Sequence, residues 1–401
     1  MAKPLDGVTV ADFSQMMQGP WGTMTLGDLG ADVIKIEPVG GELEREVTAG
    51  GELWRGKSAY YLAMNRNKRS VAVDLKDDRG HAVARDIVAE ADVLVENFRP
   101  GVMGRLGFGY EDVTEYNPEI IYASASGYGA DGPYADRPGQ DLLIQSMSGL
   151  ADLAGEREGP PVPAGTYVAD ELSALYIMLH VVAALRHRDR TGEGQKIEAN
   201  LLNAMVSGMC QEVTAALNMD RDFERPDSGI AHPMFGAPYG IYETADGYLA
   251  ISLGDLGDIG DALGIDGLDE LAAPTDAFDH RDEIHARIEA VTRERPTDAV
   301  VEDLLEAGAW VGPVNDLEEM AADPQVQHNE LIIEIEDPDV GPFKTTGFPV
   351  SMSETPPSVE RPPPRTGEHA EEVLEDLGYD RGEVAALRED GVLGGDPPET
   401  I

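Results

Sequence analysis

Cysteine, basic residues and long apolar runs are all scarce in this chain of 401 residues. Cys210 is the only cysteine, which excludes an intrachain disulfide and a thiolate metal cluster. Flanked by Met205, Val206 and Met209, it reads as a buried small hydrophobe. The longest apolar run, Ala174 to Leu185, is interrupted by His180 and is too short to span a bilayer, so it reads as a core helix. The opening MAKPLDGVTVADF has no charged n-region, no long apolar stretch and no cleavage site, so a cytoplasmic location is expected. No G-x-S-x-G elbow is present to start serine nucleophilic catalysis. His280 and His285 fall on different faces of a predicted helix with no third ligand nearby. No metal site is expected, and both read as solvated surface histidines.

Lysine and arginine total 30 against 76 acidic residues, a formal net charge of -46. Lysines stand only at positions 3, 35, 57, 68, 76, 196 and 344. Such a charge disfavours nucleic acid and anionic membranes as partners. The acids are spread through every region, as in DLGDIGDALGIDGLDELAAPTD, instead of forming one tail. With 42% hydrophobic residues the chain can build one large or two medium cores, which a disordered acidic protein could not. The pattern is that of a halophile-like folded enzyme whose surface is solvated by carboxylates.

Up to residue 130 strand and helix signals alternate. Strands are expected at 8–13, 32–36, 70–75, 92–98 and 119–125, with helices at 21–29 and 77–91. This alternation predicts βαβ units and a largely parallel sheet, an α/β fold. Long helices are expected at 139–153, 170–188 and 201–218. A mixed region follows, with a strand at 248–252. Prolines 356, 357 and 362–364 then predict an exposed, stiff connection, and two short helices separated by Gly378 close the chain.

Gly127, Gly129 and Gly132 form a literal GxGxxG, but Pro133 and Pro138 follow where a dinucleotide site needs a helix N-terminus, so the NAD reading fails on context. The basic stretch Asn65-Arg66-Asn67-Lys68-Arg69-Ser70 has two readings, phosphate binding or a turn that balances nearby acids. Asp170 opens the apolar helix of residues 170–188. A carboxylate there can cap the helix, the commoner role, or act as a nucleophile in a dry site.

Read together, KPLDGVTVADF, GADVIKIEP, NRNKRSVAVDL, ADVLVENFRPGV, IIYASASGYGADGPYADRPGQD, RTGEGQKIEANLLNAM, ETADGYLAIS and TGEHAEEVLEDLGY resemble the family III CoA-transferases. That group includes formyl-CoA transferase, the carnitine CoA-transferases and α-methylacyl-CoA racemase. The resemblance runs nearly end to end. It implies a large Rossmann-like domain from residues 1–218 and 331–401, a smaller α+β domain at 219–330, and an interlocked homodimer. It makes Asp170 the nucleophile, passing through aspartyl anhydride and aspartyl-CoA thioester intermediates.

The same resemblance places Val73, Asn97, Phe98 and Arg105 at the adenine and phosphate end of CoA. It implies acyl-CoA and a small carboxylic acid as substrates, and no permanently bound cofactor, because each step trades one activated carboxyl for another. Met17, Gln18, Gln140 and Asp141 are substrate-side candidates. Hydrogen bonding to the acyl group and ordinary loop capping both stay open for Gln18 and Gln140. Gln140 replaces the histidine of a racemase His-Asp pair and cannot shuttle a proton, which favours acyl transfer over racemisation. Relatives that use succinyl-CoA and a C4 or C5 dicarboxylate such as malate, citramalate or mesaconate suggest the substrate class. A CoA-binding protein without turnover is the remaining alternative.

Self-repulsion among 76 acids is screened by salt. The protein is expected to lose activity and far-UV circular dichroism in salt-free buffer and to keep both in molar salt. Full activity after dialysis against water would contradict this.

Overall fold

The computed structural model describes residues 2–229 and 231–395. Two compact units emerge from its contacts. The first comprises Met1–Ile144, Tyr167–Met205 and Gln325–Ile401, and the second Gln145–Thr166 and Val206–Pro324. This division groups 145–166 and 206–218 with most of the 219–330 segment and leaves 325–330 with the first unit.

The first unit is built on six parallel strands, β1 (Thr9–Asp12), β2 (Asp32–Glu37), β3 (Lys68–Ala72), β4 (Val93–Glu96), β5 (Ile121–Ser126) and β6 (Gln195–Asn200), in the order β3-β2-β1-β4-β5-β6. Helices α1 (Gln18–Asp28), α2 (Ala59–Met64), α3 (Asp78–Ala89), α4 (Val102–Arg105), α5 (Tyr110–Thr114), α6 (Asp141–Met147) and α7 (Val168–Thr191) supply or follow the crossovers. Alternate strand residues feed two cores, as a period of two demands. Val10, Val33, Val93 and Ile121 pack with Leu26, Ile177 and Val181 on one face. Ala11, Ile34, Leu94 and Tyr122 pack with Ile87, Val384 and Leu393 on the other. Burial on both faces explains why these strands read as continuous apolar runs. Strand order reverses between β1 and β4, the position where open α/β sheets bind ligands.

Helix boundaries moved for local reasons. The predicted helix at 21–29 starts earlier, at Gln18, because Pro20 falls in its first turn, where the missing N–H costs nothing. The predicted 139–153 helix stops at Met147, and left-handed Gly149 (φ +93°) leads into a separate turn, Leu150–Leu153. The predicted 201–218 helix breaks at Met209 into α8 (Leu201–Gly208) and α9 (Cys210–Asn218). Helix α7 instead outgrows its prediction, reaching 24 residues before left-handed Gly192 ends it. By length and composition it could cross a membrane, but it carries Asp170 and packs Ile177, Val181, Ala184 and Leu185 into the sheet core.

The second unit holds an antiparallel sheet of β7 (Gly240–Glu243), β8 (Tyr248–Leu253) and β9 (Trp310–Pro313). Helices Leu256–Leu263, Arg281–Thr292 and Thr297–Glu306 cover it through Ile259, Ile284, Ile288, Val300 and Leu304. His285 departs from expectation here. It is buried, stacks on Tyr242 at 4.3 Å, and its Nε2 lies 2.8 Å from the Ile241 carbonyl, so it is a core residue. Cys210 is exposed, because α9 has no buried position in this chain. The proline connection is not uniformly exposed either. Pro363 and Pro364 are buried, and the Pro364 carbonyl accepts from Arg45 (3.0 Å) and Tyr61 (3.0 Å).

The basic stretch at 65–70 resolves as charge balance, not phosphate binding. Arg66 pairs with Asp28 through two hydrogen bonds of 2.9 and 2.7 Å. Arg69 meets Asp32, Glu372 and Asp376. Lys68 is fully buried, 2.9 Å from Asp12. Its ammonium is pushed down to about 8 by burial; Asp12 opposes that push and Lys35 adds to it. Asp12, buried too, is held below its ordinary value because Lys68, Lys35, Ser14 and Thr23 outweigh its desolvation. Removing one partner leaves an unpaired buried charge. Lys68→Met is therefore expected to cost roughly 3–5 kcal/mol in denaturant unfolding at high salt, and a change below 1 kcal/mol would contradict the assignment.

Candidate active site

The site begins at the switch point, where β1 runs into the segment Phe13–Met17. Each successive residue there is fixed by a different element. The Ser14 N–H donates to Asp12 Oδ1 at 2.9 Å, and the Ser14 carbonyl accepts from Lys35 Nζ at 3.0 Å. Gln15 is clamped on both sides by Asn97, which follows β4: its N–H donates to Asn97 Oδ1 (2.8 Å) and its carbonyl accepts from Asn97 Nδ2 (2.7 Å). Met16, held at φ +63°, donates its N–H to Glu44 Oε2. Met17 then starts α1 without a side-chain cap.

Gln18, 4% exposed, donates from Nε2 to Ser173 Oγ at 2.6 Å and so ties α1 to the first turns of α7. Its amide nitrogen is thus committed to the protein. Gln140 is exposed beside the loop that holds the glycine motif. There Gly127 and Gly139 pack so closely that a Cβ on either would lie within 2.5 Å of the other's Cα, and Gly129 and Gly132 take φ of +108° and +86°. The glycines serve backbone packing and turns.

Asp141 and Asp170 divide the two roles open to a carboxylate at a helix start. Asp141, buried, accepts from the Ala169 N–H (2.8 Å) and the Asp170 N–H (3.2 Å), so it supplies the cap of α7. Asp170 sits inside the first turn, and among the described residues its carboxylate has no hydrogen-bond or ion-pair partner. Burial, then the charges of Asp141 and Glu171, push it up to about 7. Across from it stands Tyr60, whose phenol is raised by burial and then by the negative charge of Asp170, so it stays a neutral donor. Its ring meets that of Tyr167 edge to face at 6.0 Å. The arrangement is a half-buried carboxylate at a helix N-terminus, uncommitted to structure and more basic than usual.

Beyond Asn97 a cavity of about 240 Å³ opens over the ends of β4, β5 and β6, lined by Phe98, Arg99, Tyr122 and Lys196. Phe98 also packs against the hydrophobic core of that sheet face. Arg105 is exposed on α4, just past the cavity wall. Val73 is buried after β3, at the far edge of the sheet from this cavity, where it bridges Leu393 and does not line the cavity. Among the described residues no group of three or more His, Cys, Asp or Glu side chains could hold a metal ion.

A family model, CoA-transferase family III, matches residues 5–370. The chain belongs to that family. It is 36% identical over 399 residues to the succinyl-CoA:glutarate CoA-transferase of Homo sapiens, covering 98% of this chain and 90% of the human one. It is 34% identical over 392 residues to the succinyl-CoA:mesaconate CoA-transferase of Haloarcula marismortui, covering 94% and 97%. A crystal structure of a CAIB/BAIF family protein from Brucella suis superposes with a TM-score of 0.83 at 33% identity, covering 94% of this chain and all of that one (100%). The protein is a CoA-transferase with an α/β fold.

Three features of this family III site escaped the sequence reading. Ser173 has no motif of its own; only its spacing from Asp170 places it on the same face of α7. Tyr60 stands beside Tyr61 in a short helix, and nothing in SAYYLAM shows which ring turns inward. Arg99 and Lys196 come together only when β4 and β6 flank β5.

The raised carboxyl of Asp170 carries a linkage cost. Between its ordinary value and about 7 the unfolded chain ionises while the folded site keeps its proton, so stability falls as pH rises through that window and is flat above it. Asp170→Asn is expected to unfold at higher denaturant than wild type at pH 8, by roughly 2–4 kcal/mol, with the gain vanishing near pH 4. A variant no more stable at pH 8 would contradict the upward shift.

Proposed function

We propose that this protein transfers CoA from succinyl-CoA to a C4 or C5 dicarboxylate, with Asp170 as the nucleophile. The observation that carries the reading is the division between Asp141 and Asp170: one carboxylate caps α7 and the other is left uncommitted. The relatives named above support the donor and the acceptor class, since both use succinyl-CoA with a small dicarboxylic acid.

An ionised Asp170 oxygen attacks the thioester carbonyl of succinyl-CoA. The C–S bond breaks and CoA leaves as thiolate, giving a mixed succinyl-aspartyl anhydride. The thiolate then attacks the Asp170 carboxyl carbon, expelling succinate and leaving an aspartyl-CoA thioester. An oxygen of the acceptor carboxylate attacks that carbon, the thiolate leaves again, and it resolves the second anhydride at the acyl carbonyl. The new acyl-CoA departs and the Asp170 carboxylate is restored. No net proton moves, so the chemistry asks for no general base, metal or redox group. It does need an ionised nucleophile, and a carboxylate titrating near 7 is more nucleophilic than an ordinary one while still available at neutral pH. It needs donors for each oxyanion. The uncapped N-terminus of α1, tied to α7 by the Gln18–Ser173 hydrogen bond, is suited to supply them. Phe98, Arg99, Arg105 and Lys196 fit the flat base and phosphates of CoA.

The same reading makes the protein a cytoplasmic homodimer. Leu175, Leu179 and Val182 on α7 are exposed in the single chain, Leu179 by 62%, and a second copy would cover them.

In high salt, succinyl-CoA and a panel of dicarboxylic acids should yield a new acyl-CoA mass with wild type and none with Asp170→Ala. Hydroxylamine should trap the aspartyl thioester in wild type alone. Undiminished transfer by Asp170→Ala would overturn the assignment.

A further inference from the structure

Glu44 belongs to the turn Leu43–Glu46, where its neighbour Leu43 is largely exposed, yet its own side chain is fully buried. Its Oε1 lies 2.9 Å from Lys35 Nζ, itself fully buried. Burial alone would push the Lys35 ammonium down, but Glu44, Asp12, Glu42 and Glu37 outweigh it and hold the lysine charged. A buried ion pair of this kind is a poor source of stability compared with two apolar side chains of the same volume. The pair does something an apolar pair could not. Glu44 Oε2 accepts the Met16 N–H at 2.5 Å, and Lys35 Nζ donates to the Ser14 carbonyl at 3.0 Å.

Those two bonds grip the backbone on either side of Gln15. Met16 is a non-glycine residue at φ +63°, a conformation unfavourable for a long side chain and kept only when its surroundings impose it. The next residues, Met17 and Gln18, open α1, and Gln18 reaches Ser173 one turn along α7 from Asp170. Release of the Met16 N–H would let that residue relax toward negative φ and swing the start of α1.

We propose that Glu44, charged and anchored by Lys35, is a positioning residue for acyl transfer, locking Met16 in its left-handed conformation so that the first turn of α1 is held against the Asp170 end of α7. This rests on the reading of Asp170 as nucleophile. Glu44 touches no substrate in this role. It acts through the backbone, and a displacement of about an ångström at the reacting groups is enough to cost two orders of magnitude in rate.

The test compares variants in molar salt with succinyl-CoA and the acceptor found active for wild type, beside Asp170→Ala. Glu44→Asp keeps the charge facing Lys35 but withdraws the acceptor from Met16. It is expected to melt near wild type and to lose about 30-fold in kcat, with KM for succinyl-CoA within threefold. Two charge-neutral doubles isolate the acceptor. Glu44→Gln with Lys35→Met keeps an oxygen for the Met16 N–H and should retain at least about a third of kcat. Glu44→Leu with Lys35→Met removes it and should lose about 30-fold at a similar melting temperature. Adding Met16→Gly to that second double should recover about tenfold, because glycine accepts positive φ unaided. Equal kcat in the two doubles, or a kcat that simply follows melting temperature across the set, would overturn the proposal. Should neither double fold, a Glu44→Asp variant with unaltered kcat overturns it alone. An active Asp170→Ala would instead remove the nucleophile reading on which the proposal rests.

Discussion

Two ammonium groups with no access to solvent set the terms for the rest of the first unit. Lys35 and Lys68 project from β2 and β3 into the interior below the switch point, each at 0% exposure, and water cannot stabilise either charge. Their compensation must come from fixed groups, and it does: Asp12 and Glu44 for charge, the carbonyls of Ser14 and Pro20 for hydrogen bonding. Because those partners lie on β1, on the segment after it, on the first turn of α1 and on the Leu43–Glu46 turn, satisfying the lysines fixes where each of these elements sits. In a chain with only seven lysines, two spent this way is a large share, and it shows that the site's backbone is held by charge as much as by packing.

The extreme acidity of the surface and the cationic interior are one problem seen from two sides. Carboxylates spread over the exterior repel one another, and the cations available to offset them are few. Arg66, Arg69, Lys57 and Lys68 are all drawn into contacts with carboxylates inside or near the first unit. Local positive potential is therefore confined to a small number of places. Arg99 and Lys196 beside Phe98 make one such place, and even there Glu96 and Glu198 share the cavity lining and Lys196 pairs with Glu198 at 2.7 Å.

The β-α alternation was readable because strands buried on both faces carry dense apolar runs and the intervening helices carry their own period. The helix that carries Asp170 was readable for the same reason, although spacing favoured a cap and only the family resemblance made Asp170 a nucleophile. The loops after β1 and β4 were readable because they fall where any open α/β sheet puts its ligands. What the sequence could not show was how polar side chains had been spent. Asn97 and Gln18 looked like ligand contacts, and in the fold the first clamps Gln15 while the second bonds Ser173. The arginines and lysine of residues 66–69 looked equally fit for phosphate, and each meets a carboxylate far away in sequence. Hydrogen-bond partners separated by dozens of residues leave no periodic trace. The histidine at 285 failed for the complementary reason: a single polar residue on a helix gives no sign of whether a ring such as Tyr242 waits beneath it.

Asp170 shows how the competition between roles is settled physically. A helix start has free N–H groups that demand an acceptor, and a lone carboxylate there would be captured by them, lowered in basicity and lost as a nucleophile. A second carboxylate, Asp141, takes those N–H groups from the preceding helix and leaves Asp170 with burial and two like charges as its surroundings. The result is costly for folding above neutral pH, since the site must then hold an ionised acid that none of the described residues pairs. That cost can be offset only by something that binds the charged form or consumes it. In the proposed reaction an electrophilic acyl carbonyl does the second: once the anhydride forms, the charge leaves Asp170 and resides on a thiolate. A site that is destabilised when empty and relieved when acylated favours the covalent intermediate without any added binding group.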